Sequence, residues 1–285
     1  FVPKHEQVKK EQIEELQQFI DSSKRLFVLT GAGISTESGI PDYRSEVVGL
    51  YAKSGHKPIQ HQDFIQSKNI RRRYWARNYL GWPKWSSVEP NINHYTLADW
   101  ESKSKVHWCI TQNVDRLHHK AGSQNIIELH GSSYTVKCLS CRYRVSRFQF
   151  QQILSQLNSH LLDDELINID AVRPDGDVDI NPEFINSFSY PSCPSCNGIV
   201  KPDIVFFGDN VPKDRVDLVY EKLDQSDSVL IIGSSLHVYS GYRFALSAFQ
   251  SKKPIAIVNI GLVRNESFSC DIRINARAGD VLPQI

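Results

Sequence analysis

The stretch Arg25-Leu26-Phe27-Val28-Leu29-Thr30 runs directly into Gly31-Ala32-Gly33-Ile34-Ser35. A short apolar run of this length, ended by glycines, reads as a buried parallel strand rather than a helix. The glycines behind it provide a turn in which backbone N–H groups and a helix N-terminus can hold a pyrophosphate. Similar runs recur at Val106 to Thr111, Ser228 to Gly233 and Pro254 to Asn259. Helical patterns lie between or after them, at Val114 to Ala121 and Tyr239 to Lys252. Ahead of the first strand, Val8, Ile13, Leu16, Phe19 and Ile20 fall at helical spacing among Lys, Glu and Gln, the pattern of an amphipathic helix covering one face of a sheet. Strands alternating with helices predict an α/β fold with a Rossmann-like, doubly wound parallel sheet.

The glycine loop departs from the dinucleotide fingerprint in an informative way. Its third glycine is missing, Gly39 comes too late to replace it, and no acidic residue stands convincingly at the end of a second strand to hold an adenosine ribose. A hydride-transferring dehydrogenase is therefore poorly supported. The loop instead continues through Thr36-Glu37-Ser38-Gly39-Ile40-Pro41-Asp42-Tyr43-Arg44, more polar and turn-forming residues than a phosphate turn needs. An ordinary strand-to-helix loop remains the alternative. Three further polar sets follow predicted strands: Gln112-Asn113-Val114-Asp115, Gly233-Ser234-Ser235 and Asn259-Ile260-Gly261. Each alone could be a cap or turn. Together they mark the carboxyl edge of a sheet, where open α/β folds bind ligands.

Composition narrows the classes. The 285 residues, 40% of them hydrophobic, can bury one large core or a main domain with an appendage. A net charge of +1 and a single short basic run, Arg71-Arg72-Arg73, argue against nucleic acid as a partner. No apolar run approaches the roughly 20 residues of a membrane span, so no membrane partner is expected, and no secretory signal is visible. The chain starts at Phe1 and contains no methionine, so its natural start, with any targeting peptide, is expected to have been removed.

Two segments break the strand-helix rhythm. His61 to Trp82 is helical in pattern and rich in aromatic and basic residues; Ser133 to Pro202 looks strand-poor and loop-rich, with Asp163 to Pro191 expected to be a long loop. The second segment carries Cys138-x-x-Cys141 and Cys193-x-x-Cys196, 51 residues apart. Two CxxC turns supply the four thiolates of a tetrahedral Zn(II) site, and with all four positions filled the metal is structural rather than catalytic. Redox pairs or disulfides are the alternatives, disfavoured because a redox motif normally occurs once, at a strand-helix junction. Cys109 and Cys270 read as small buried hydrophobes.

The strings GAGISTESGIPDYR, TQNVD, Leu129-His130-Gly131, the paired CxxC motifs, KPDIVFFGD from Lys201 to Asp209 and GSSLHVY from Gly233 resemble, in order and over nearly the whole chain, the sirtuin family. Details such as TESGIPDYRSEVVGLY, YWARN and GSSLHVYSGYRF are most similar to its mitochondrial class II branch of the sirtuin-four type. The resemblance implies one catalytic domain over 1–285, with a Rossmann-like lobe at about 8–45, 92–133 and 200–285, a helical module at 46–91 and a zinc module at 134–199. It also implies that NAD is consumed as a co-substrate. Its phosphates would lie near Gly31, Ala32, Gly33, Ser35 and Ser234, with Gly233 and Ser235 alongside. Its adenosine would lie near Asn259, Ile260, Gly261 and Ala278, and the loop from Thr36 through Tyr43 and Arg44 to Tyr51 would close over it. Asn113 and Asp115, with Gln112, Val114, Ile40, Pro41 and Asp42, would hold the nicotinamide end. His130 and Asn113 would be the catalytic residues, with His130 the general base on a ribose hydroxyl after the acyl oxygen of a modified lysine attacks C1′. Taken alone, His130 could equally be a hydrogen-bonded structural histidine. His118, His119 and His237 have no such context and read as surface or packing residues.

Peptide substrate would add as a strand between Val205-Phe206-Phe207-Gly208 and Val238-Tyr239. Tyr74 and Arg77 are similar to a pair that grips an acyl carboxylate in a desuccinylating relative, although a local i,i+3 contact explains them equally well. The implied reaction is NAD-dependent deacylation of protein lysines, preferring lipoyl or branched acid-bearing acyl groups over acetyl, on metabolic enzymes of the mitochondrial matrix. Mono-ADP-ribosylation of proteins, and a weakly active NAD-sensing binding module, are the competing readings.

Overall fold

The computed structural model describes residues 2–5, 7–44, 49, 58–161, 173, 176–178 and 180–285. The leading helix α1 (Lys10–Ser22) buries Ile13, Leu16 and Ile20 on one face and delivers the chain to β1 (Leu26–Thr30). A 3₁₀ turn at Ala32–Ser38 takes the place of the helix expected behind the glycines. After α2 (His61–Gln66), α3 (Lys68–Ser86) and α4 (Ile92–Ser102), the chain returns to the sheet in β2 (Val106–Thr111), α5 (Leu117–Lys120) and β3 (Ile126–Glu128). It leaves through β4 (Gly131–Cys138), β5 (Arg144–Ser146), α6 (Arg147–Leu157), α7 (Pro182–Ser187) and β6 (Val200–Ile204). It finishes with α8 (Lys213–Asp224), β7 (Ser228–Ile232), α9 (Tyr239–Gln250), β8 (Ile255–Val258), β9 (Ile272–Ile274) and α10 (Ala278–Val281).

The main sheet has the order β3-β2-β1-β7-β8-β9, and every neighbouring pair is parallel. The chain builds outward from β1 to β3, then crosses back to place β7 on the other side of β1. The connections from β1 and from β7 thus run on to opposite sides of the sheet, β2 and β8, and a crevice lies at the carboxyl ends between them, the switch point of a doubly wound sheet. Helices cover both faces, which explains the unbroken apolar strands. Leu26, Val28, Leu230, Ile232, Ala256 and Val258 pack toward α1 and α4, whereas the alternate residues Phe27, Leu29, Val229, Ile231, Ile255 and Ile257 pack toward α8 and α9. The two short edge strands β3 and β9 carry too little apolar pattern to be predicted from sequence.

The cysteine-bearing segment is richer in regular structure than its composition suggests. β5, β4 and β6 form a three-stranded antiparallel sheet, with Val136 facing Val145 and Cys138 facing Val200. The expected strand-poor segment is corrected here: Ser, Thr and Lys between the inward residues of GSSYTVKC hide the alternation, and pairing with β6, more than 60 residues later, supplies the ladder. The expected long loop also contains α7. Asn181 caps it by accepting from Glu183 N at 2.9 Å, and Pro182 occupies its first turn. Within the expected loop, Asn181-Pro182 is therefore a helix start, fastened by buried Phe184 and Phe188. The predicted helix at Val114 to Ala121 shortens to α5, because Asp115 accepts from Leu117 N at 2.9 Å and Arg116 adopts φ +61°. That break frees Val114 and Asp115 to face the crevice.

Helix α3 joins the two parts. Trp75 packs on Phe150 of α6 beside Val136 and Val200, while Trp82 stacks edgewise on Tyr134. The fully buried Arg147 bonds Asn78 Oδ1 at 2.9 and 3.0 Å and lies 4.6 Å from the centre of the Trp82 ring. Among the described residues, no helix is long and apolar enough to cross a membrane.

Candidate active site and metal centre

A cavity of about 1190 Å³ opens at the switch point. Its floor is made where the loops after β1 and β7 zip together: Gly31 N donates to Ile232 O at 3.1 Å, and Gly33 N to Gly233 O at 2.9 Å. Gly233 sits at φ +59°, where a Cβ would press into Ile34 N and Gly33. Only glycine allows the two loops this approach.

The cavity gathers most of the sequence-predicted site residues. Gly31, Ala32, Gly33, Ser35, Thr36, Ile40, Asp42, Tyr43 and Arg44 contribute from the first loop, and Gln112, Asn113, Val114 and Asp115 from the end of β2. Gly233, Ser234 and Ser235 line it beyond β7, with Asn259, Ile260, Gly261 and Ala278 at the far end. His130, Tyr74, Val205, Phe206, Phe207, Gly208, Val238 and Tyr239 complete the opposite side. Pro41 does not reach the cavity, because the loop turns its neighbours Ile40 and Asp42 inward instead. Tyr51 lies outside the described residues.

A hydrogen-bonded lattice holds the centre. Asn113 Nδ2 donates to Gly31 O and to Ser35 Oγ, both at 3.1 Å; Ser35 Oγ in turn donates to the Asp115 carboxylate at 2.8 Å. Burial raises the Asp115 carboxyl above its ordinary range, while its bonds to Leu117 N, Ser35 and Asn113 oppose that shift. Gln112 Nε2 bridges to Ser234 Oγ at 2.8 Å, tying the end of β2 to the end of β7. Beneath Ser35, the buried rings of His94 and His118 meet edgewise at 4.9 Å, and His118 Nε2 bonds Thr30 Oγ1 at 3.0 Å. Burial holds His118 down to about 3, so this pair is a neutral polar floor. His118 is thus a packing residue, as expected, and His237 is an exposed residue, also as expected, placed at the cavity's rim.

His130 stands between β3 and β4 with both ring nitrogens engaged. Nδ1 lies 2.8 Å from Gln112 O and Nε2 2.7 Å from Ser240 Oγ. A carbonyl only accepts, so Nδ1 carries the proton and Nε2 offers its lone pair to the Ser240 hydroxyl. Burial lowers the ring to about 4; the Gln112 carbonyl opposes this, and the nearby Arg215 and Arg243 guanidiniums add to it. The imidazole is neutral at physiological pH and poised as a base. Behind it, Gly131 at φ +81° would meet Asp203 O with any Cβ, so β4 can leave the site only through glycine.

The four cysteines of the paired CxxC motifs converge, with all Sγ atoms within 4.8 Å of one another. Cys138 and Cys196 lie 3.5 Å apart and Cys141 and Cys193 3.6 Å, far beyond a disulfide bond of about 2 Å. These are the spacings of thiolates about 2.3 Å from one tetrahedral Zn(II). Ser140 N donates to Cys138 Sγ at 3.3 Å, as a backbone amide does to a coordinated thiolate. The site fits a structural zinc and leaves no open coordination position.

The Tyr74/Arg77 pair separates. Tyr74 lines the cavity, whereas Arg77 is not among the lining residues; its Nε lies 2.9 Å from Asp177 Oδ1 and donates to Val178 O at 2.5 Å. Asp177 itself reaches the cavity, and the adjacent Gly176 packs against Gly81 of α3. Sequence reasoning missed Ser240, Arg243 and Asp177. Ser240 and Arg243 stood in the quoted GSSLHVYSGYRF string, but only the fold turns them toward His130.

These features define a dinucleotide-binding α/β protein with an appended four-cysteine metal module and a half-buried neutral histidine over the crevice. Residues 31–240 match the Sir2 family, and the chain belongs to it. It is 53% identical over 285 residues, covering 100% of this chain and 90% of the relative, to the NAD-dependent protein deacylase Sirt4 of Drosophila melanogaster. It is 50% identical over the same length, covering 89% of the relative, to the human NAD-dependent protein lipoamidase sirtuin-4, mitochondrial. Among solved structures, it superposes on one described as the structural basis for the mechanism and regulation of Sir2 enzymes with TM-score 0.73 at 28% identity, covering 97% of this chain and 96% of that one. A Sir2 with deacetylated p53 peptide and 3′-O-acetyl ADP-ribose matches with TM-score 0.73 at 26% identity, covering 96% of each chain.

Proposed function

We propose that this chain is a mitochondrial NAD-dependent protein-lysine deacylase whose preferred substrates carry acyl groups larger than acetyl, lipoyl among them. The observation that carries the reading is His130, half-buried, neutral and hydrogen-bonded through Nε2 to Ser240 at the wall of the cavity that also holds the Gly31–Ser35 loop. NAD would supply an ADP-ribosyl group to take the acyl chain and would leave as nicotinamide and O-acyl-ADP-ribose. The loop amides from Gly31 to Ser35, with Ser234, would hold its phosphates; Asn259, Gly261 and Ala278 would flank the adenosine. Asn113 and Asp115, braced by Ser35, would position the nicotinamide ribose, and His130 would accept a ribose proton at Nε2. The acyl-lysine peptide would pair its backbone between Val205–Gly208 and Val238–Tyr239. The lobe boundaries given above belong to the same reading, supported by the separate apolar clusters of the parallel sheet and of the α3, α6 and β4 region.

The acyl preference is sharpened by Arg77. An acid-bearing acyl group reaching the Nε face of Arg77 would compete there with Asp177 and Val178, whereas the apolar end of a lipoyl group demands no such exchange. The relatives' names, a deacylase and a lipoamidase, favour acyl removal over ADP-ribosyl transfer to protein and over a purely binding role. A panel of acyl peptides incubated with NAD and read by mass spectrometry tests this. We expect higher kcat/KM on lipoyl than on acetyl peptide, and a loss of about 10²- to 10⁴-fold in turnover for His130→Ala. Equal or better acetyl turnover overturns the preference. A mass increase of ADP-ribose on protein without acyl peptide overturns the reaction class.

A further inference from the structure

His130 presents a chemical difficulty that its hydrogen bonds make explicit. A neutral imidazole has one acceptor lone pair, and here Nδ1 spends its proton on the Gln112 carbonyl at 2.8 Å, leaving Nε2 as the sole basic atom. Ser240 Oγ already occupies that lone pair at 2.7 Å. A substrate hydroxyl cannot donate to Nε2 at the same time. Ser240 is the second residue of α9 and lines the cavity beside Tyr239, and its oxygen has no further hydrogen-bond partner among the described residues. The serine oxygen therefore retains acceptor capacity toward the cavity, where the ribose is expected.

We propose that Ser240 is a catalytic residue that relays the proton, so that His130 deprotonates the ribose hydroxyl through the Ser240 hydroxyl rather than directly. This rests on the deacylase reading above. In the relay, the ribose O–H donates to Ser240 Oγ while the Ser240 O–H donates to His130 Nε2. As the ribose oxygen bonds to the acyl carbon, its proton moves to Ser240 Oγ, and the original serine proton moves to Nε2. Serine ends as a neutral hydroxyl and His130 as an imidazolium, still donating from Nδ1 to Gln112. No atom is consumed, and the reverse transfer returns the proton when the departing group needs it. The N-terminal end of α9, on which Ser240 sits, favours the partial negative charge that passes through Oγ.

The relay acts after nicotinamide has left, which separates it from a merely structural role. The test compares the wild-type enzyme with Ser240→Ala, Ser240→Thr and His130→Ala, using acyl peptide and NAD, with steady-state turnover and exchange of labelled nicotinamide into NAD as parallel readouts. Ser240→Ala should lower kcat about 10- to 100-fold, reaching only the lower end of general acid–base contributions, with KM for both substrates and the exchange rate within about twofold of wild type. Ser240→Thr, which keeps the hydroxyl, should recover kcat to within about threefold, and Ser240→Ala should add no further loss in a His130→Ala background. Unchanged or raised kcat in Ser240→Ala overturns the relay, because His130 then takes the ribose proton directly. Parallel loss of exchange and turnover, or failure of threonine to restore turnover, also overturns it. If wild-type enzyme releases no lysine from any acyl peptide, the deacylase reading itself fails and takes the relay with it.

Discussion

Replacing His130 by alanine should change how stability depends on pH, and the size of the change follows from where the ring sits. In the fold, burial first, and Arg215 and Arg243 in addition, hold the imidazole down to about 4 against the opposing Gln112 carbonyl. In the unfolded chain it titrates near 6.5. The folded-state value is depressed, so the contribution is fully present above the unfolded pKa. As pH falls below about 6.5 the unfolded chain binds a proton that the native ring refuses, and the loss levels off below about 4. Over that gap the linkage amounts to about 2 kcal/mol between pH 7 and pH 5. Urea unfolding of wild type and His130→Ala at the two pH values measures it. At pH 7 the variant should be less stable by about 1–3 kcal/mol, because Gln112 O and Ser240 lose their partner. At pH 5 the stability difference should shift in the variant's favour by about 2 kcal/mol, since alanine carries no acid penalty. Buried His94 and His118 titrate in both proteins and cancel from the comparison. A difference that moves by less than about 0.5 kcal/mol between pH 7 and pH 5 would refute the picture of a desolvated neutral base.

Two other perturbations probe the frame of the site. A thiol-modifying reagent should release one Zn(II) per chain, read with a colorimetric chelator, and Cys141→Ser should lower both zinc content and Tm; a zinc-free wild type with an unchanged Tm would contradict a four-cysteine centre. Gly233→Ala should cost about 1–3 kcal/mol from its φ of +59°, with the contact on Ile34 N and Gly33 adding to it, and should weaken NAD binding as the two loops part. Thermal unfolding and NAD titration of the variant check this, and normal values in both would show that the loops tolerate separation.

How much of this was legible in sequence depends on the range of the interaction that decides each feature. Local pattern was enough for β1, β2, β7 and β8, because a strand buried on both faces must be apolar throughout. It was enough for the four-cysteine centre, because metal ligation demands four thiolates whatever surrounds them. It placed the glycine loop and His130 in one site through the order of the family's motifs. Tertiary structure alone decided the rest. β3 and β9 are three residues each and exist because neighbours offer them ladders, and β4 becomes a strand only against β6. Arg77, whose resemblance to an acyl-carboxylate grip stands level in sequence with a local contact to Tyr74, instead pairs with Asp177, 100 residues later, a cavity-lining residue that no local pattern links to it. Ser240 gave no chemical signal in its string; its meaning comes from a 2.7 Å contact across 110 residues. Hydrogen bonds and ion pairs between distant segments leave no periodicity in a sequence, whereas burial on a repeating face does.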